Sequence, residues 1–198
     1  AIFPSSKLLK ENLNESFILY KPKDIVAGDF YWLEPLENEV LFAVADCTGH
    51  GVPGALVSVI CNSALNRSVR EYNLFDPGLI LDKTKELVIE EFEKSEEEVK
   101  DGMDIALCKL QGSTLLYSGA NIPLLIVRNG KILETKAEKQ PIGKYDSNIN
   151  YKTHQFKLIK NDTIYIFSDG FVDQFGGKKE KKYKRLNLKK FILSLQDI

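Results

Sequence analysis

The chain has 198 residues, of which 43% are hydrophobic and 28% are charged, and its formal net charge is -1 at pH 7. This composition is typical of a globular protein, and the balanced charge makes nucleic acid an unexpected partner. Three cysteines without a CxxC spacing favour a reduced, cytoplasmic protein over a disulfide framework or a zinc site. No apolar run is long enough for direct insertion into a membrane.

The first part of the chain predicts a short helix and then β-strands. Pro4-Ser5-Ser6 predicts the start of the short helix. Aromatic and β-branched residues predict strands over 16–20 and from residue 24 onward to 32. Residues 40–45 form a nearly continuous apolar run after a short turn, which predicts a hairpin with the preceding strand.

Two helices are predicted in the middle of the chain. The first covers residues 52–72, and helical spacing predicts an inner face made of Val52, Leu56, Val59, Ile60 and Ser63. Asp76-Pro77 predicts the start of the second helix, because a capping residue precedes a proline in the first turn. Its predicted inner face consists of Ile80, Thr84, Leu87, Val88 and Phe92. The acidic run 93–98 is interpreted as a solvated loop.

The remainder predicts mainly short strands and a last helix. The strands are predicted over 103–110, 113–120, 124–127, 132–134, 153–158 and 162–168, and the helix over 186–195. Asn129-Gly130 is a strong hairpin signal. The basic run 178–185 is interpreted as a solvated loop, with contact to a phosphoprotein or nucleic acid as the alternative. Two antiparallel sheets packed face to face and covered by helices would use every apolar face.

A carboxylate beside a glycine, or beside a glycine-rich turn, occurs at three predicted strand ends or turns: Gly28-Asp29, Asp46 and Asp169-Gly170. Oxygen ligands without a histidine or cysteine cluster favour Mg²⁺ or Mn²⁺ over zinc. If the carboxylates converge, they can hold two cations around a shared water, which is a hydrolase design without a nucleophilic side chain. Pro53 also predicts a helix start close to Asp46, and helix N-termini suit phosphate. An ordinary strand-to-helix turn with a capping aspartate remains the alternative.

Four motifs together resemble the bacterial SpoIIE-like branch of the metal-dependent protein phosphatases, the PPM family. They are AGDFYW (27–32), ADCTGHGVPGALVS (45–58), SGANIPLLI (118–126) and FSDGFVDQF (167–175). The resemblance implies an α+β fold, an α-β-β-α sandwich of two mainly antiparallel sheets flanked by helices. It also implies hydrolysis of phosphoserine or phosphothreonine by attack of a metal-activated water, with two Mn²⁺ or Mg²⁺ ions in the complete domain.

The resemblance implies roles for individual residues. Asp29, Asp46 and Asp169 would be metal ligands, with Asp46 bridging both ions, and Cys47 would ligate through its backbone carbonyl. His50 is a candidate general acid, with shaping of the turn as its alternative role.

Further residues are weaker candidates. Lys21 and Lys23 are predicted to bind the substrate phosphate in place of an arginine clamp. Asp173 is either another acid of the site or structural, and Asp101 and Asp104 are candidates for a third metal.

The resemblance also implies how the chain is divided and which partners it has. Residues 1–15 are predicted to connect to an upstream sensor or signalling region, and residues 16–198 to form the phosphatase domain. The family's last metal-binding aspartate, in an Asp-Asp motif, is absent from these residues, so we expect a domain that is incomplete at its C-terminus, with weakened metal binding. Expected partners are a phosphorylated regulatory protein and a second copy of the chain in a homodimer. The alternative function is a phosphatase-like binding module that recognises a regulatory protein without turnover.

Overall fold

The structure, a computed structural model, describes residues 3–94, 101–145, 149–177 and 180–196. Within these ranges the chain forms four α-helices, eleven β-strands and one 3-10 turn. In chain order they are α1 (Ser6–Asn12), β1 (Phe30–Pro35), β2 (Val40–Cys47), α2 (Gly51–Arg70), α3 (Pro77–Phe92), β3 (Gly102–Gln111), β4 (Thr114–Ala120), β5 (Leu124–Arg128), β6 (Lys131–Thr135), β7 (Ile142–Gly143), β8 (His154–Lys157), β9 (Thr163–Tyr165), the 3-10 turn (Asp169–Phe171), β10 (Phe175–Gly176), β11 (Lys181–Lys182) and α4 (Arg185–Ser194).

The strands form two packed sheets and a separate small hairpin. The larger sheet has the order β1-β2-β3-β4-β8, with β7 also paired to β3, and all of these pairs are antiparallel. The smaller sheet has the order β6-β5-β9, and β10 pairs with β11. Successive side chains of a strand point to opposite faces of the sheet. In the central strands of the larger sheet, apolar side chains are buried on both faces.

The apolar contacts define four layers. One face of the larger sheet, including Leu41 and Ile105, packs on α2 and α3. Its other face, including Cys108, packs on Leu124 and Ile126 of the smaller sheet. The outer face of β5 then packs on α4. This arrangement confirms the predicted α-β-β-α sandwich of mainly antiparallel sheets.

The helix starts at Ser5 and Asp76 are confirmed. The Ser5 hydroxyl accepts from the Leu8 N–H at 3.2 Å, and the Asp76 carboxylate accepts from the Gly78 and Leu79 N–H groups at 3.0 and 3.1 Å. The predicted inner face of α3 is also confirmed by the burial of Ile80, Thr84, Leu87 and Val88. For the acidic run 93–98, Glu93 and Lys94 form a turn, and the other residues lie outside the described ranges.

The strand predicted over 16–20 is wrong, because this segment is not a strand and pairs with none of the strands in the described ranges. Phe17 and Leu19 are exposed. Tyr20 instead packs its ring against Phe3 and Tyr31, with centroid distances of 5.0 and 6.0 Å. The next strand begins at Phe30 rather than near residue 24.

The predicted inner face of α2 is also wrong. Val52, Leu56 and Val59 are exposed, whereas the face on the sheet contains Gly54, Val57, Ser58, Cys61, Asn62, Ala64, Leu65, Ser68 and Val69. Small residues on the buried face let the helix approach the sheet closely, and they carry little hydrophobic signal.

Two smaller predictions are corrected near the C-terminus. The strand predicted over 162–168 covers only Thr163–Tyr165. In the basic run, Lys181–Lys182 form β11 and Arg185 begins α4, so that part is not a loop, although both lysines are exposed. In the described part of the chain, no helix combines the length and the apolarity needed to cross a membrane.

Candidate active site

The register of the larger sheet brings three aspartates to one edge. Phe30 pairs with Ala45, so Asp29, just before β1, comes opposite Asp46 near the end of β2. On its other side, Asp46 pairs directly with Asp104 of β3. The hairpin predicted from sequence therefore places Asp29 and Asp46 together, and β3 adds Asp104.

The 3-10 turn after β9 brings Asp169 to the same edge. Ser168, the residue that precedes this turn, donates from its hydroxyl to Asp29 Oδ2 at 2.7 Å. The Asp169 backbone lies close enough to the Asp46 carboxylate to lower its pKa. These two contacts connect the 3-10 turn with the β1–β2 hairpin, and Asp29, Asp46 and Asp169 form one acidic cluster.

Burial and mutual repulsion change the acidity of this cluster. Burial raises the pKa of Asp46 to about 7, and the negative charges of Asp29 and Asp169 add to the effect. Burial is also the main reason that the pKa values of Asp104 and Asp169 are raised. The hydrogen bond that Asn121 donates to Asp104 at 2.7 Å acts in the opposite direction. Negative charge is therefore concentrated here beyond what the surrounding protein neutralises.

Close backbone contacts shape the turn after Asp46. A Cβ on Gly28 would lie 2.9 Å from the Cys47 carbonyl oxygen and 3.0 Å from that of Gly49. A Cβ on Gly54, in the first turns of α2, would lie 2.5 Å from the Gly49 oxygen and 3.4 Å from the Gly28 Cα. Only glycine fits these positions without displacing backbone, so the segment before Asp29, the turn after Asp46 and the start of α2 are held together.

Thr48 attaches this turn to β3. Its backbone N–H donates to the Gly102 carbonyl oxygen at 2.9 Å, and its hydroxyl accepts from the Gly102 N–H at 3.2 Å. This fixes the turn that follows Asp46 against the strand that carries Asp104.

His50 is the residue before the first turn of α2, and its imidazole is largely exposed. Its Nδ1 lies 3.6 Å from Asp24 Oδ2. Among the described residues, no side chain caps the first N–H groups of α2. The start of this helix lies beside Gly28 and Asp29, as predicted, and the role of His50 as an acid stays a prediction.

The other predicted site residues lie in different surroundings. The Cys47 side chain is buried, and its hydrogen bond with Cys61 raises the pKa of its thiol, so the thiol belongs to the core while the carbonyl faces Gly28. Lys21 and Lys23 are exposed, and neither forms an ion pair with a described residue. No ion pair with a described residue therefore holds these two lysines at the acidic cluster.

Asp173 lies four residues after Asp169, and its N–H donates to the Asp169 carbonyl oxygen at 2.9 Å. Its carboxylate pairs with Lys182 Nζ at 2.7 Å. Sequence reasoning did not select Ser168 or Asn121, and it included Lys182 only as part of the basic run 178–185. Ser168 and Asn121 lie inside the motifs that carry the family resemblance, which is the signal that points to them.

The donor set of the cluster fits a hard divalent cation. Carboxylate oxygens of Asp29, Asp46 and Asp169 and the Cys47 carbonyl oxygen are the ligand types that Mg²⁺ and Mn²⁺ prefer. The raised pKa of Asp46 reflects the excess negative charge that a cation offsets. As the described side chains stand, no three acidic, histidine or cysteine groups surround a common point as metal ligands would. Binding an ion therefore requires these carboxylates to reorient.

Comparisons with known proteins agree with this architecture. A family model described as stage II sporulation protein E (SpoIIE) matches residues 37–197. The PP2C domain of SiaA from Pseudomonas aeruginosa is 30% identical with a TM-score of 0.85, and the match covers 97% of this chain and 76% of that chain. A structure of the PP2C phosphatase domain of SpoIIE from Bacillus subtilis, with a fragment of its regulatory domain, is 18% identical with a TM-score of 0.66.

That match covers 86% of this chain and 48% of the Bacillus chain. RsbX, crystallised in complex with magnesium, is 17% identical with a TM-score of 0.57, and the match covers 90% of this chain and 84% of that chain. A search of curated proteins gave no match. The last two structures support the fold alone, because their sequence identities are low.

Proposed function

This chain belongs to the SpoIIE family of PP2C-like phosphatase domains, and from that premise we propose that it removes phosphate from phosphoserine or phosphothreonine in a regulatory protein. PPM phosphatases are metal-dependent, and we propose Mg²⁺ or Mn²⁺ as the ions used here. RsbX, which shares the fold, was crystallised in complex with magnesium.

The observation that carries the proposal is the meeting of Asp29, Asp46 and Asp169 at one edge of the larger sheet. Their sequence positions are far apart, yet Ser168 hydrogen-bonds Asp29, and the negative charges of Asp29 and Asp169 both raise the pKa of Asp46. Burying several carboxylates together is unfavourable unless a cation compensates them. A cluster of carboxylates whose burial is costly for folding is the expected signature of a metal-dependent site.

We assign the metal ligands to Asp29, Asp46, Asp169 and the Cys47 carbonyl, with Asp46 in the central position. A bound divalent cation supplies Lewis-acid chemistry: it neutralises phosphate oxygens and makes water easier to deprotonate. The uncapped N–H groups at the start of α2 favour the negative charge of the phosphate. His50, exposed beside this helix start, is assigned to protonation of the leaving seryl or threonyl oxygen.

We further propose that residues 16–198 form the catalytic output domain of a bacterial signalling protein and that residues 1–15 connect it to an upstream region. The support comes from the Bacillus relative, whose solved chain contains a regulatory fragment besides the phosphatase domain. The proposed substrate is a phosphorylated regulatory protein in the cytoplasm.

The test is a metal titration of turnover. We expect phosphate release from a phosphoserine peptide and from an aryl phosphate to require Mn²⁺ or Mg²⁺ and to stop with a chelator. Asp46→Asn is the inactive control, and Glu71→Gln, on the exposed end of α2, is the surface control that retains activity. Binding of a phosphorylated partner without any metal-dependent release would contradict the proposal and favour a binding module.

A further inference from the structure

The β10–β11 hairpin is held against the turn that carries Asp169. The Lys184 N–H, just after β11, donates to the Val172 carbonyl oxygen at 2.7 Å. The rings of Phe171 and Tyr183 meet edge to face, with their centroids 5.6 Å apart. Residues on this hairpin are therefore positioned relative to the acidic cluster by backbone and ring contacts on both sides.

Lys182 is the hairpin residue whose charge reaches the site. Its Nζ lies 2.7 Å from Asp173 Oδ2 and 5.9 Å from the centre of the Phe175 ring. The positive charge also lowers the pKa of Asp169, against the larger raising effects of burial and of Asp173. The side chains of Lys182 and Asp173 are 46% and 45% exposed. An ion pair this exposed contributes little to stability, so it opens readily when a stronger anion arrives.

A phosphate that approaches the acidic cluster meets several carboxylates of its own sign. Divalent cations offset part of this repulsion, and a mobile cation at the rim offsets more. His50 faces Asp24, whereas Lys21 and Lys23 have no ion pair with any described residue to hold them at the site. Lys182 is already held, through Asp173, next to the turn that carries Asp169.

We propose that Lys182 binds the phosphate of the substrate, moving from Asp173 to a phosphate oxygen when the substrate enters. Lysine suits this task because its ammonium is a compact charge with three donors on a flexible stem. Asp173 acts as the resting partner that keeps the ammonium at the rim. The inference rests on the proposed phosphatase function and adds the residue that recognises the substrate's phosphate.

The test measures binding of inorganic phosphate to the Mg²⁺-loaded protein by isothermal titration calorimetry. We expect Lys182→Gln to weaken binding about tenfold or more, as for loss of one charge-assisted hydrogen bond. Lys182→Arg should restore most of the affinity. Lys181→Gln, the matched loss of charge at the neighbouring position of β11, should change it by less than about twofold, because exposed charges are screened. Unchanged phosphate affinity in Lys182→Gln would overturn the proposal.

Variants of Asp173 separate phosphate binding from simple neutralisation of that carboxylate. If Lys182 contacts phosphate, Asp173→Asn should tighten phosphate binding, and the double variant Asp173→Asn/Lys182→Gln should bind clearly more weakly than Asp173→Asn, because the ammonium contact is lost. If Lys182 only neutralises Asp173, the double variant should bind as tightly as Asp173→Asn, which would overturn the proposal. Thermal unfolding of each variant identifies loss of folding, and Lys182→Arg keeps the test valid if Lys182→Gln is unstable.

The two proposals fail in different ways. Wild-type protein that binds phosphate through Lys182 but releases none from an aryl phosphate at any Mn²⁺ concentration would refute the phosphatase function and support the phosphate site. Metal-dependent turnover with equal KM and equal phosphate affinity in wild type and Lys182→Gln would refute only the role of Lys182. A selective weakening by Lys21→Gln or Lys23→Gln, with none by Lys182→Gln, would assign the phosphate contact to the N-terminal segment instead.

Discussion

Replacing Gly54 by alanine tests whether close backbone packing around the turn after Asp46 is needed for catalysis. The new Cβ would lie 2.5 Å from the Gly49 carbonyl oxygen and 2.7 Å from its carbonyl carbon, and both atoms belong to backbone. A normal contact at this position is roughly 3.4 Å, so the turn and the start of α2 must separate by roughly 0.9 Å.

Two opposing effects determine the stability of Gly54→Ala. Alanine favours a helix interior over glycine by about 1 kcal/mol. Overpacking a close contact costs about 1–3 kcal/mol. The free energy of unfolding should therefore fall by only about 0–2 kcal/mol. Catalysis should suffer more, because a displacement of about 1 Å in a positioned site reduces the rate about 100-fold.

The assay compares urea unfolding with metal-dependent release of phosphate from an aryl phosphate. Gly176→Ala is the matched control, because among the described residues, its two chain neighbours apart, no atom lies within 4 Å of the added methyl group. We expect the control to retain wild-type kcat/KM. A Gly54→Ala protein that is more stable than wild type and equally active would refute the argument that these segments are in obligatory contact.

Three further predictions follow from the site and from the second sheet. Asp46→Asn should abolish turnover but leave the metal-free protein at least as heat-stable as wild type, because it removes repulsion; more than a small residual rate would contradict its central role. Ser168→Ala removes the hydrogen bond to Asp29 and should weaken Mn²⁺ binding about 10-fold, measured by calorimetry, whereas unchanged affinity would show that the bond does not position this ligand. Arg128→Gln should lower the thermal midpoint at neutral pH, because Arg128 donates to both oxygens of Asp162 and holds the pKa of that carboxyl below its ordinary value. This stabilisation is present above the pKa of the unfolded state and is lost as the pH falls through the lower folded value, so the two midpoints should converge in acid, and a constant difference would refute the linkage.

Local sequence signals predicted the parts of the fold that depend on neighbours in the chain. Three elements were predicted by a signal within their own stretch of sequence: the cap at Asp76, the Asn129-Gly130 turn and the apolar run of β2. The apolar residues at 16–20 gave the same signal as a strand, but a strand also needs a partner, and the ring of Tyr20 packs against Phe3 and Tyr31 instead. Pairing across the chain is not contained in a local pattern.

The orientation of α2 was predicted incorrectly because the helix has apolar residues on two sides. Val52 and Leu56 are apolar but exposed, whereas the small Gly54 and Val57 face the interior. Close approach to Gly49 and Gly28 decides the orientation, and it depends on the size of residues in other segments. Hydrophobic spacing alone cannot measure that fit.

The aspartates of the site were predictable because each lies beside a glycine or a glycine-rich turn at a strand end or turn. The residues that hydrogen-bond these aspartates were harder to predict. Ser168 and Asn121 act through single hydrogen bonds to Asp29 and Asp104, across sequence separations that no local motif encodes. Lys182 is near the site only because a hairpin folds back on the 3-10 turn.

The most direct test of the central claim is anomalous X-ray diffraction from crystals of the protein grown with Mn²⁺. The acidic cluster should give manganese peaks contacted by carboxylate oxygens of Asp29, Asp46 and Asp169, and Asp46→Asn crystals should lose them or show reduced occupancy. Manganese bound only elsewhere, or no peak in this cluster at saturating Mn²⁺, would contradict the assignment of these aspartates as the metal ligands.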